Sequence, residues 1–256
     1  MTVEFTMKIG CPVACLNYCP QEIITKNYAG VSMMQFDAFR FFMKTIPTSQ
    51  TIIFSGLSEP FANPECIDMM EWTHNQGYPI WLFTTLVGVT REISERLIQI
   101  PVDRLCLHLP DSTYNARIPI TSEYKDVLGN VLGFMPNLEF MNMGGLFSSN
   151  RTEEFVRGKP FPRKNWNIWC RFLESPQYNV LPNGDVYTCC VTQRFVSQEN
   201  CASGIIGNLY ESAYPELEAK FPQIKQELVS DKNSICHTCP ASEVWWKHAA
   251  LNFRME

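Results

Sequence analysis

The chain has 256 residues, enough to bury one large core or a core with a small appended unit. Hydrophobic residues make up 45% and charged residues 18%, and the formal net charge of −5 counts against non-specific nucleic-acid binding, which needs a basic face. No apolar run reaches the ~18 residues of a membrane helix, and the N-terminus alternates instead of forming a signal-type block, so a cytoplasmic protein is expected.

The first element is a strand: "VEFTMKIG" sets Val3, Phe5, Met7 and Ile9 against Glu4, Thr6 and Lys8. Directly after it, "CPVACLNYC" spaces Cys11, Cys15 and Cys19 by four residues. A helix is predicted in "SMMQFDAFRFFMKTI", where Ser32 and Gln35 form a capping-box pattern. "TIIFSG" is the second strand and runs into the turn Gly56-Leu57-Ser58-Glu59-Pro60. A second helix, "NPECIDMMEWTHNQG", has Asn63 as its cap, Pro64 in its first turn and Gly77 at its end. "PIWLFTT" is the third strand, ending at Thr84 and Thr85. "TREISERLIQI" is a helix, "DRLCLHL" a strand leading to His108 and Asp111, "SEYKDVLGNVLGF" a helix, and "NLEFMNMGG" a fifth strand.

This alternation predicts a parallel α/β structure over about the first 155 residues. That is short of the ~250 residues of a closed eight-fold barrel, so a partial barrel or a doubly wound sheet is expected. The unusual residues gather after the carboxyl ends of the strands, where parallel α/β folds bind ligands, so the loops should converge on one site. Further on, "CRFLESPQYNVLPNGDVYTCC" reads as a hairpin around Asn183-Gly184. "GNLYES" and "CHTCP" follow, and "EVWWKHAALNF" reads as a closing helix with no chemistry assigned to Trp245 and Trp246.

Cysteine usage points to chemistry. Eleven cysteines, an odd number in a chain without a secretion signal, favour metal binding or catalysis over disulfides. Cys11, Cys15 and Cys19 form one set; Cys170, Cys189, Cys190, Cys236 and Cys239 form another. Cys66, Cys106 and Cys201 stand apart and read as small buried residues. Three thiols are one too few for a closed tetrahedral metal site, which leaves a position for another ligand or for a substrate.

The three-cysteine loop after strand one, Tyr18 just before its third cysteine, and the Gly-x-x-Glu-Pro turn after strand two together resemble the radical S-adenosylmethionine enzymes. The resemblance implies a partial (β/α)6 barrel over residues 1–160. It makes Cys11, Cys15 and Cys19 the ligands of a [4Fe–4S] cluster whose open iron chelates S-adenosylmethionine, which is cleaved on reduction to a 5′-deoxyadenosyl radical. It places Gly56, Ser58 and Glu59 at the methionyl ammonium, Thr84 and Thr85 near the carboxylate or ribose, and His108 as a further ribose candidate. An external one-electron reductant such as flavodoxin or ferredoxin is implied. The sequence departs from the family twice: its spacing is CxxxCxxxC where the family has CxxxCxxC, and its turn reads GLSE where the family has GGE.

The second cysteine set resembles the family's C-terminal SPASM extension or its shortened twitch form, a hairpin plus helix expected over residues 161–256. Cys170, Cys189, Cys236 and Cys239 would fully ligate one auxiliary [4Fe–4S] cluster, giving two clusters in all; Cys190 competes with Cys189, and a four-cysteine zinc knuckle is the alternative metal site. The layout is similar to the twitch-containing 2-deoxy-scyllo-inosamine dehydrogenases, which implies oxidation of a secondary alcohol on a carbohydrate-like small molecule, with the auxiliary cluster as electron acceptor. Three other readings stand beside it. A radical epimerase would use a thiol as hydrogen donor, and Cys106 shares one strand face with His108, opposite Leu105, Leu107 and Leu109. A peptide-modifying enzyme usually carries a leader-binding domain, and only ten residues precede Cys11. A metal-binding interaction module is the non-enzymatic reading. "RKNWNIWC" with Arg163, Trp166 and Trp169 could line a polar pocket or pack as a linker, and Arg151, Arg157, Arg171 and Arg194 read as solvated surface.

Overall fold

A computed structural model describes residues 1–13, 15, 21–109, 117–135, 137–142, 175–189, 204–230 and 236. Five parallel strands carry the N-terminal part: β1 (Thr2–Thr6), β2 (Thr51–Ser55), β3 (Ile80–Thr84), β4 (Arg104–Leu109) and β5 (Leu138–Asn142). Between them lie α1 (Gln21–Asn27), α2 (Phe36–Met43), a 3-10 turn (Pro60–Ala62), α3 (Cys66–Asn75), α4 (Arg91–Leu97) and α5 (Ser122–Phe134). The C-terminal part adds β6 (Gln177–Val180), β7 (Asp185–Tyr187), β8 (Ile205–Asn208) and α6 (Tyr214–Ser230). Among the described residues no helix is long and apolar enough to cross a membrane.

One sheet holds all eight strands in the order β5-β4-β3-β2-β1-β6-β7-β8. The first five strands follow one another in chain order, each parallel to the next. A doubly wound sheet reverses direction at a switch point between its βα units; β1 to β5 run on in one direction, as a partial barrel does, and the order turns back to β1 only with β6 of the C-terminal part. A sixth parallel strand, β6, pairs with β1 from the other side, Val3 opposite Tyr178 and Phe5 opposite Val180. The C-terminal hairpin therefore extends the same sheet, with β7 and β8 antiparallel beyond it.

Strand alternation sorts the side chains. Val3, Phe5, Ile52, Phe54, Ile80, Leu82, Leu105 and Leu107 face the helices and are buried in one core. Phe39 of α2 is its hub, with rings of Phe5, Phe54 and Trp72 at 4.9, 5.9 and 6.0 Å. The opposite, inner face carries Glu4, Thr6, Ser55, Phe83, Cys106 and His108. On the C-terminal side, α6 covers β6: the Tyr178 ring meets those of Tyr214 and Phe221 at 5.8 and 5.9 Å.

Helix starts match the sequence reading in part. Thr90 and Thr121 cap α4 and α5 by accepting from the Ile93 and Tyr124 amides, and Gly77 follows α3 at φ 82°. The capping box at Ser32 does not form: α2 begins at Phe36, and its first amide is bound by the Glu65 carboxylate at 3.0 Å. Asn63 likewise is not the cap of α3, which begins at Cys66. Its side chain donates to the carbonyls of Met7 and Met34 and accepts from the Glu65 amide. The hairpin turn forms as read, Gly184 at φ 86° donating its amide to the Leu181 carbonyl.

Candidate active site at the carboxyl ends of the strands

The described residues that follow β1, β2 and β3, and the end of β4, converge on one cavity. Cys11, Cys15, Gly56, Ser58, Thr84 and His108 all border it, together with Gln21, Glu59 and Thr85. Cys15 is buried and Cys11 half-buried. The Cys11 sulfur accepts from the Glu59 amide at 3.3 Å, and the Cys11 amide donates to Gln21 Oε1 at 3.0 Å. Cys19, Asp111 and the turn at 143–145 lie outside the described residues.

The turn after β2 is held from beneath by β1. Gly56 sits at φ 93°, and a Cβ there would overlap the Thr6 hydroxyl. That hydroxyl accepts from the Leu57 amide at 3.2 Å and donates to Asn179 Oδ1 at 3.0 Å. The Asn179 amide group in turn donates to the buried Glu4 carboxylate at 2.8 Å. A strand of the C-terminal part thus fixes, through one threonine, the turn that walls the cavity.

Glu59 is 4% exposed. Its carboxylate accepts from the Thr84 and Thr85 hydroxyls at 2.5 and 2.6 Å, the Thr85 amide at 2.7 Å and the Phe61 amide at 3.3 Å. Burial pushes its pKa up, and these hydrogen bonds pull the other way. The two threonines thus hold the carboxylate against β3, while the Tyr124 hydroxyl donates to the Thr85 carbonyl at 3.1 Å. The Ser58 hydroxyl, also at the cavity, donates to the Glu59 carbonyl at 3.4 Å.

On the inner face of β4, His108 borders the cavity and meets the Phe83 ring edge-on at 6.3 Å. Cys106 lies two residues toward the start of the strand and is 3% exposed; burial raises its thiol pKa, which keeps the S–H intact. Cys66 is fully buried, as read.

Cys189 and Cys236 pack against a second, smaller core of Ile9, Ile24, Leu57, Leu181, Tyr187 and Leu228. This core joins the end of β1, α1 and the β2 turn to the C-terminal hairpin and α6. It brings together the two described members of the late cysteine set. Cys170, Cys190, Cys201 and Cys239 lie outside the described residues, as do Arg151, Arg157, Arg163, Arg171, Arg194, Trp166, Trp169, Trp245 and Trp246. Among the described residues no group of three or more metal-ligating side chains is gathered, since each expected set contributes only two of its cysteines. The donors present fit an iron–sulfur group: soft thiols on one cavity wall, with a backbone amide already aimed at one sulfur.

Sequence reasoning missed Gln21, Asn179 and Tyr124. Gln21 had a signal, standing two residues after Cys19 where a helix resumes; Asn179 sits in a strand whose partner is 175 positions away at Glu4.

Residues 170–240 match the SPASM family, described as an iron–sulfur cluster-binding domain. The chain shares its fold with the solved structure of BtrN in complex with AdoMet and 2-DOIA (14% identity, TM-score 0.62, 93% of this chain and 91% of that one). It is shared also with anSMEcpe with bound AdoMet (12% identity, TM-score 0.53, 93% and 88%) and with the same protein bound to AdoMet and the Cp18Cys peptide (10% identity, TM-score 0.53, 93% and 87%). No curated protein matches in sequence. The chain thus shares its fold with BtrN and anSMEcpe, and the match to the iron–sulfur cluster-binding domain lies within that shared fold.

Proposed function

We propose that this protein is a radical S-adenosylmethionine oxidoreductase that oxidises a secondary alcohol of a sugar-like or cyclitol substrate. The observation that carries the reading is the convergence of Cys11 and Cys15 with the Gly56–Glu59 turn on one cavity, beneath a sheet that continues into the C-terminal hairpin. The small-molecule reading draws on the fold shared over 93% of this chain with BtrN, solved with 2-DOIA.

On this reading Cys11, Cys15 and Cys19 hold the cluster that takes S-adenosylmethionine, and Cys170, Cys189, Cys236 and Cys239 hold the auxiliary one. When bound, these groups supply the radical that removes a carbinol hydrogen and the acceptor for the electron left behind. The chain's residues position and enclose. Gly56 gives the turn its positive φ, and Ser58 and the turn carbonyls face the methionyl ammonium. Thr84 and Thr85 fix Glu59 so that its amide stays on the Cys11 sulfur, and His108 and Phe83 wall the cavity on the inner face.

A second reading, radical epimerisation, is favoured by one observation: Cys106 lies on the inner face with a thiol that burial keeps protonated, the state a hydrogen-atom donor needs. One experiment separates the two. Anaerobic turnover of a cyclitol and amino-sugar panel, deuterated at each carbinol carbon, should carry deuterium into 5′-deoxyadenosine and yield a ketone. Solvent deuterium entering substrate carbon, and lost in Cys106→Ala, would overturn dehydrogenation in favour of epimerisation.

A further inference from the structure

Cys11 and the turn after β2 do not meet by direct contact alone. Gln21, the first residue of α1, stands between them, bordering the cavity with both. Its Oε1 accepts from the Cys11 amide at 3.0 Å, and its Nε2 donates to the Leu57 carbonyl at 2.5 Å. The circuit closes two residues on, where the Glu59 amide donates to the Cys11 sulfur at 3.3 Å. Only one orientation of the carboxamide serves both neighbours, because a flipped group would set its N–H against the Cys11 N–H and its oxygen against the Leu57 oxygen.

We propose that Gln21 is a positioning residue that sets the distance between the cysteine loop and the turn after β2, so that the ligand at Cys11 and the turn at Ser58 and Glu59 address one bound S-adenosylmethionine. The inference rests on the radical S-adenosylmethionine reading. Three observations carry it. The bridge ties two segments 36 positions apart, Gln21 to Leu57. It takes up the Leu57 carbonyl, which leaves the Ser58 side of the turn to face the cavity. It also spans the two places where the sequence carries an added residue, the CxxxCxxxC loop and the GLSE turn. Two loops each lengthened by one residue need a new tie to hold a fixed spacing, and a side chain with one donor and one acceptor supplies it.

The test uses the anaerobically reconstituted full chain, its reduced cluster titrated with S-adenosylmethionine and followed by EPR, beside iron content and thermal midpoint. Gln21→Glu keeps the acceptor for the Cys11 amide and loses the donor to Leu57; Gln21→Ala loses both. The expected result is wild-type iron content in Gln21→Glu, a melting midpoint within about 5 °C of wild type, and S-adenosylmethionine binding about tenfold weaker, the equivalent of roughly one lost hydrogen bond. Gln21→Ala should bind more weakly still. Wild-type affinity in both variants overturns the proposal. So does a loss of iron and melting midpoint in both, which would make Gln21 a support of the fold alone. A wild-type protein whose EPR spectrum ignores S-adenosylmethionine overturns the parent reading instead, and shows it before any variant is made.

Discussion

Removing the Glu59 side chain tests how the turn is held. In Glu59→Ala four donors lose their acceptor. Two are hydroxyls, which rotate, and which already accept from the Leu86 and Val87 amides. The other two are the Thr85 and Phe61 backbone amides, which cannot turn away. A buried donor left without a partner costs about 1–3 kcal/mol, so two cost about 2–6 kcal/mol. Removing a buried carboxylate also removes its desolvation penalty, which brings the expectation to about 2–4 kcal/mol of a total stability of about 5–15 kcal/mol. For a chain of this size that is a fall in thermal midpoint of about 5–15 °C. Glu59→Gln should lose about half as much, since its carbonyl oxygen can keep the Thr85 amide while its NH2 finds the second lone pair of the Thr84 hydroxyl. The assay is an anaerobic thermal melt of wild type and both variants. A Glu59→Ala protein melting within about 2 °C of wild type would refute the reasoning.

Gly56→Ala puts a Cβ into the Thr6 hydroxyl at a backbone angle that L residues rarely adopt, and should cost at least about 2 kcal/mol, read as a lower melting midpoint together with weaker S-adenosylmethionine binding. Asn179→Leu takes the donor from the buried Glu4 carboxylate and the acceptor from Thr6, and should destabilise by about 2–4 kcal/mol in the same melt. Tyr124 has its phenol pKa pushed up to about 12, first by burial and then by Glu59. An acid raised by folding contributes stability that is complete below the unfolded value of 10.0 and is lost as pH rises through about 12. Tyr124→Phe should therefore lose about 1 kcal/mol at neutral pH and show a shallower fall in melting midpoint across that alkaline window.

The strands were legible because their core face alternates: Val3, Phe5 and Met7 announce it, although Glu4 and Thr6 between them are buried as well. The site was legible as a set of loops for the same reason, since parallel strands put every carboxyl end on one rim. What could not be read was pairing at a distance. β6 is a short strand whose place beside β1 depends on Tyr178 and Val180 continuing the face of Val3 and Phe5, across more than 170 positions. The misread caps at Ser32 and Asn63 have the same cause, because Glu65 binds the α2 amide from the next helix and Asn63 is spent on two carbonyls of other segments. α1, at seven residues, is too short to show a period, and α6 carries Pro222 within it. Thr84 and Thr85 border the cavity, yet their hydroxyls serve Glu59, a partner that only the folded chain supplies.

The central claim is that the open position of the Cys11–Cys15–Cys19 set is where the chemistry starts. Protein reconstituted anaerobically should hold about eight irons, the sum of two four-iron clusters. Reduced in the presence of S-adenosylmethionine and without any substrate, it should release 5′-deoxyadenosine and methionine, and Cys11→Ala and Cys15→Ala should release none. A fully iron-loaded wild-type protein that forms no 5′-deoxyadenosine under several reductants would contradict the account.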